Sequence, residues 1–169
     1  MTITVSLPDG SPLELEDGAN GLDAARAIGR RLAEATVAVV VDGEQRDLTR
    51  VLPDGSSVSM ITEDTDAGRH VLRHSAAHVM AQAVLELFEG STFAIGPAIE
   101  DGFYYDFDIG RPFTPEDVER IEERMTEIVA ADQPFERVEF SKAEALEVFA
   151  AHPFKTEIIE SVDESEVDA

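Results

Sequence analysis

The 169-residue sequence contains no cysteine. That excludes a disulfide framework, a thiolate nucleophile and any cysteine-ligated zinc site. Basic residues are also scarce: 13 Lys and Arg stand against 36 Asp and Glu, for a net charge of -23 and a pI near 4.2. Binding to a phosphate backbone draws on Lys and Arg replacing counterions, so any RNA contact must be local or supported by material outside this chain. No stretch approaches the roughly 18 apolar residues of a membrane span. The start, Met1-Thr2-Ile3-Thr4-Val5, lacks a basic region followed by a continuous apolar run. The expectation is a cytoplasmic protein without membrane association.

What is present is ordinary globular material. A hydrophobic content of 43% and this length suit one medium or two small domains. Ile3, Val5 and Leu7 alternate with polar residues, Pro8-Asp9-Gly10 supplies a turn, and Leu13 and Leu15 resume the alternation, predicting a hairpin. From Gly21 the period changes. Leu22, Ala25, Ile28 and Leu32 predict one amphipathic helix, capped by Asn20 or Asp23. Val37 to Val41 reads as a buried strand turned by Asp42-Gly43; Asp47-Leu48-Thr49 leads into Val51-Leu52, and Pro53-Asp54-Gly55 precedes a last strand at Val58 to Ile61. The order β-β-α-β-β is a small α+β unit of ubiquitin-like, β-grasp type over residues 1–62. With its repeated Pro-Asp-Gly turns it resembles a TGS domain, an auxiliary or regulatory module. No catalytic constellation falls within it.

A polar, punctuated stretch over 63–68 reads as a linker ending in a helix cap at Asp66. Beyond it, Leu72, Ala76, Met80 or Val79, Ala83 and Leu87 form an apolar stripe at helical spacing, predicting a helix over about 70–89 that Gly90 ends. His74 and His78 lie beside that stripe. Two imidazoles four residues apart share one helix face and can act on one small group. Spacing alone leaves a structural role open for both, and His70 adds a third imidazole one turn earlier. A zinc site would need a further ligand from His152 or an acidic group, and the reading without cysteine is no metal.

The run Phe93-Ala94-Ile95-Gly96-Pro97-Ala98-Ile99-Glu100-Asp101-Gly102-Phe103-Tyr104-Tyr105-Asp106-Phe107-Asp108 predicts strand, turn, strand. Taken with His74-Ser75-Ala76-Ala77-His78 and the preceding TGS-like segment, it closely resembles the N-terminal region of bacterial threonyl-tRNA synthetases, in which an editing domain follows a TGS domain. That resemblance implies hydrolysis of mischarged seryl-tRNA(Thr). A missing methyl group discriminates serine from threonine by only about 1–3 kcal/mol, which makes a second sieve useful. It implies an incomplete α+β editing domain over 69–160, with His74, His78 and Lys155 as catalytic residues and Tyr104 and Gly96 contacting substrate. It also implies the acceptor end of tRNA(Thr) as partner and a homodimer for the full-length enzyme.

The remainder reads as a helix opening at Thr114-Pro115-Glu116-Asp117, with Val118, Ile121, Met125 and Ile128 inward, a short strand over 135–140, and a helix opening at the capping box Ser141-Lys142-Ala143-Glu144. Phe154 to Ile159 reads as a strand, and 161–169 as an acidic mobile tail. The family's further Asp-x-Cys-Arg-Gly-Pro-His-like block is not found in these residues, nor is the aminoacylation core where ATP, Mg and Zn are expected. No cofactor is expected in this chain. The resemblance therefore implies an editing domain cut short, inactive or weakly active alone. Two rivals stand beside it: a non-catalytic binding or regulatory module derived from a tRNA synthetase, and a metal-dependent hydrolase of the alanyl-tRNA editing type, against which the Gly102-Phe103-Tyr104-Tyr105-Asp106 block and the lack of cysteine argue.

Overall fold

A computed structural model describes residues 1–135 and 138–162. The architecture is α+β, in two compact units, Met1–Arg73 and His74–Ala169. In the first, β1 (Thr2–Ser6) and β2 (Pro12–Glu16) form the expected antiparallel hairpin, with Ile3 opposite Leu15 and Val5 opposite Leu13. Alternation puts Ile3, Val5 and Leu15 into the core, where they meet Ala24, Val39, Val41, Leu52 and Val58. The second sheet has the order β4-β3-β5, from β3 (Thr36–Val41), β4 (Glu44–Arg46) and β5 (Val58–Thr62). A parallel bridge between Ser6 and Ser57 brings the hairpin beside it, completing the β-grasp arrangement. Asp42 and Gly43 make the β3–β4 turn with φ of 52° and 89°, the left-handed pair that a tight hairpin favours.

The single helix expected after Gly21 is two: α1 (Gly21–Ile28) and α2 (Arg30–Ala35). Gly29 between them is fully extended, with φ 169° and ψ 149°, and a glycine gives up the helix at low cost. Asn20 is the cap, and both cap candidates take part: the Asp23 N–H donates to Asn20 Oδ1 at 3.0 Å, and the Asn20 N–H donates to Asp23 Oδ2 at 3.1 Å. The strand pairing with β3 is Glu44–Arg46, a short strand that the expected order β-β-α-β-β does not include. Val51 makes an isolated bridge to Asn20.

Asp66 already opens the long helix α3 (Asp66–Leu87), which narrows the expected linker to Glu63, Asp64 and Thr65. In the second unit Ala83 and Val84 of α3 are buried against Ile121 and Ile128 of α4 (Pro115–Ala130), with Met80, Leu87, Phe107 and Met125 around them. Val118, expected inward, is 56% exposed. It lies in the first turn of α4. Thr114 caps α4, and buried Asp117 accepts from the Thr114 N–H at 2.9 Å while Arg111 donates to both its carboxylate oxygens. These hydrogen bonds hold the Asp117 carboxyl well below the usual carboxylate range, the Arg111 pair contributing most.

The aromatic block folds as a nested hairpin of four short strands. β6 (Thr92–Phe93) pairs with β9 (Phe107–Asp108), and inside it β7 (Ala98–Ile99) pairs with β8 (Gly102–Phe103). Two helices follow, α5 (Lys142–Val148) and α6 (Pro153–Ser161). The second corrects the strand expected over Phe154 to Ile159. Pro153 occupies the first helical position, where a missing N–H costs nothing, and the His152 carbonyl accepts from the N–H groups of Lys155 and Thr156. Of the strand expected over 135–140, Glu136 and Arg137 lie outside the described residues, and the residues on either side are irregular. Of the acidic tail expected over 161–169, Ser161 is the last residue of α6 and 163–169 lie outside the described residues.

Candidate active site

The second unit brings its chemistry-bearing side chains from three elements: α3, the nested hairpin and α6. On α3, helical spacing stacks His74 and His78 so that their Nε2 atoms are 3.0 Å apart, with ring centroids at 4.7 Å and planes 70° apart. Both side chains are open to solvent. A contact at that distance requires one ring nitrogen to donate and the other to accept, so the pair holds a fixed relation between tautomers. If both rings were charged, two N–H groups would face each other.

The His78 imidazole is pushed below its usual 6.5. Partial removal of water by its neighbours is the main cause, followed by the charges of His74 and Lys155. Lys155 thus reaches the histidine pair electrostatically from α6. Its own ammonium is pushed below 10.5 by burial, and its Nζ sits 5.0 Å from the centre of the Phe93 ring. A neutral imidazole beside a weakened cation is chemically useful. The first can take a proton from water and the second can meet developing negative charge.

The residues expected to contact substrate divide differently. Gly96 is placed by a close approach: a Cβ there would lie 2.0 Å from Cδ2 of the Tyr105 ring. The Tyr105 ring therefore lies against Gly96, stacks on Phe107 at 4.9 Å and meets Phe93 edge-on at 6.0 Å. Burial raises its phenol above the usual 10.0. Tyr104, singled out from the sequence, is 50% exposed. The tyrosine that joins the aromatic cluster beside Lys155 is its neighbour, and the signal that could have separated them is the two-residue spacing of Tyr105 and Phe107. Phe93, which the sequence did not single out, lies in the same aromatic cluster. His152 packs on Phe93 at 5.0 Å, whereas His70 belongs to the first unit. Among the described residues no group of three His, Asp or Glu side chains is arranged to hold a metal ion, and no helix is long and apolar enough to cross a membrane.

Comparison with known proteins bears on both units. Residues 3–62 match the family described as "TGS domain". Nearly the whole chain is similar to the N-terminal region of proteins named "Threonine--tRNA ligase". The relative from Maricaulis maris (strain MCS10) is 49% identical over 166 residues, 97% of this chain and 26% of its own length. That from Pelobacter propionicus is 51% identical over 160 residues, 94% of this chain and 25% of its own. That from Citrifermentans bemidjiense is 47% identical over 167 residues, 98% of this chain and 26% of its own. The chain thus spans about a quarter of the length of the curated relatives it matches.

Proposed function

We propose that this chain, which carries a TGS domain and aligns along nearly its whole length with the N-terminal region of threonine--tRNA ligases, is part of such a ligase and contributes proofreading by hydrolysing seryl-tRNA(Thr). The observation that carries the reading is the 3.0 Å contact between the Nε2 atoms of His74 and His78, with the Lys155 charge reaching His78 from another helix. The substrate bond is the ester between serine and the terminal ribose of the tRNA. A neutral imidazole of the pair takes the proton from attacking water at Nδ1, and its partner, by accepting from its Nε2–H, holds it in the tautomer that leaves Nδ1 unprotonated. Lys155 offsets the charge that collects on the carbonyl oxygen before the ribose oxygen departs with a proton. Tyr105 against Gly96 provides a rigid aromatic wall beside these groups. The tRNA acceptor end is the partner of this site, and two copies of the ligase associate.

The test is deacylation of seryl-tRNA(Thr) by the ligase carrying His74→Ala, His78→Ala or Lys155→Ala. General acid-base groups contribute roughly a hundredfold or more, so losses on that order are expected for at least the proton-accepting histidine. Undiminished hydrolysis in all three would sink the assignment. The same assay on the 169-residue chain alone distinguishes a catalyst from a binding or regulatory module.

A further inference from the structure

Lys155 is a long, flexible side chain carrying a compact charge, and its usefulness depends on where that charge is held. Among the described residues no carboxylate or carbonyl takes its ammonium. What it meets is the face of Phe93, with Nζ 5.0 Å from the ring centre. The Phe93 ring is itself fixed from two further sides, edge-on by Tyr105 at 6.0 Å and by the tilted His152 ring at 5.0 Å. His152 ties this cluster back to Lys155 through the backbone, because its carbonyl accepts the Lys155 N–H at 2.9 Å in the first turn of α6. Among the described residues its Nδ1 is buried without a hydrogen-bond partner, so the ring's contacts here are those of packing. Phe93 of β6 thus meets Lys155, the His152 ring at the start of α6 and the tyrosine beside Gly96.

We propose that Phe93 is a positioning residue for the deacylation chemistry, its ring fixing where the Lys155 ammonium sits. The proposal rests on the editing reading above and adds to it a residue that neither spacing nor motif singles out. An aliphatic side chain at 93 would fill similar volume yet lack the negative π face that attracts the cation, so the ammonium would be freed to sample solvent. A tyrosine keeps that face.

Two measurements test it. The chain has two lysines, so carbon-13 labelling of lysine side chains in the 169-residue protein gives two ε-methylene signals, assigned by Lys142→Arg. The expected result is an upfield ring-current displacement of the Lys155 ε protons, lost in Phe93→Leu and kept in Phe93→Tyr. The second measurement is seryl-tRNA deacylation by the ligase with the same two substitutions. Phe93→Leu is expected to slow hydrolysis roughly tenfold or more, within what a small displacement of a catalytic group costs, with Phe93→Tyr restoring most of the rate. A wild-type Lys155 signal without ring-current displacement overturns the proposal even if Phe93→Leu fails to fold. So does an active ligase whose rate is unchanged in Phe93→Leu. A wild-type ligase that leaves seryl-tRNA intact overturns the editing reading itself, and the two failures are thereby distinguished.

Discussion

Among single residues, His78 is the one whose chemistry the fold alters most usefully. Its neutral form is favoured in the folded chain, first by removal of water and then by the charges of His74 and Lys155. As pH falls below 6.5 the unfolded chain takes up this proton before the folded one does, so stability declines in that direction and recovers as pH rises. In the proposed deacylation, with His78 as the base, that base is present above its lowered value, so the acid limb of the rate should lie below 6.5. Replacing Lys155 by Met removes one of the charges that oppose protonation. It should therefore move the His78 titration upward, though not all the way, since loss of water is the larger cause; nitrogen-15 spectra of the imidazoles against pH would follow it. A downward movement would contradict the electrostatic link between α6 and α3. The pair itself was legible in the sequence because helical spacing dictates which side chains share a face. That Tyr105, the neighbour of Tyr104, packs on Phe93 and Phe107 was not. Adjacent residues point to opposite sides of an extended segment, and which side faces inward is set by the pairing of β6 with β9, not by composition.

At the scale of elements, the capping boxes were readable in the second unit, whereas apolar alternation, which gave the first hairpin, misled after Pro153. Ser141 and Glu144 form the expected reciprocal pair, with the Glu144 N–H donating to Ser141 Oγ at 3.3 Å and the Ser141 N–H donating to Glu144 Oε2 at 2.9 Å. Thr114 and Asp117 do the same at the start of α4. A Thr114→Ala variant removes the acceptor for the Asp117 N–H and should cost about 1 kcal/mol of stability, read as a lowered midpoint in urea. No change would mean that the Arg111–Asp117 pair alone secures this end. The segment after Pro153 shows why alternation misleads. Phe154, Lys155, Thr156 and Glu157 can be read at a period of two, but a proline preceded by a free carbonyl is also a helix start, and the short α6 is held at its far end from outside. Lys142 of α5 donates to the carbonyls of Glu160 at 3.0 Å and Val162 at 2.9 Å, satisfying acceptors that the end of a helix leaves open. That support comes from 18 and 20 residues away in sequence, a distance at which local patterns carry no information.

For the molecule as a whole, the charge balance sets the terms on which it meets RNA. With a net charge of -23, the 169-residue chain alone should bind tRNA no tighter than about 10 μM at physiological salt, the affinity falling further as salt is added. Fluorescence anisotropy with labelled tRNA would measure this, and a tight complex would show that local contacts outweigh the overall repulsion. The two-part α+β organisation was legible because the first unit is nearly self-describing: alternation, a glycine turn at Asp42-Gly43 and a β-branched strand each point to the same small sheet. The second unit was recognisable mainly through its short aromatic block, whose folded form depends on side chains from α3 and α6 that sequence order keeps apart. One arrangement there also has a practical use. The two lysines of this chain differ in circumstance, Lys142 being tied to two carbonyls and Lys155 lying over a phenyl ring with its amine less firmly protonated than usual. With the Met1 amino group blocked, an acylating dye at mildly alkaline pH should consequently mark Lys155 ahead of Lys142, placing a reporter beside the histidine pair.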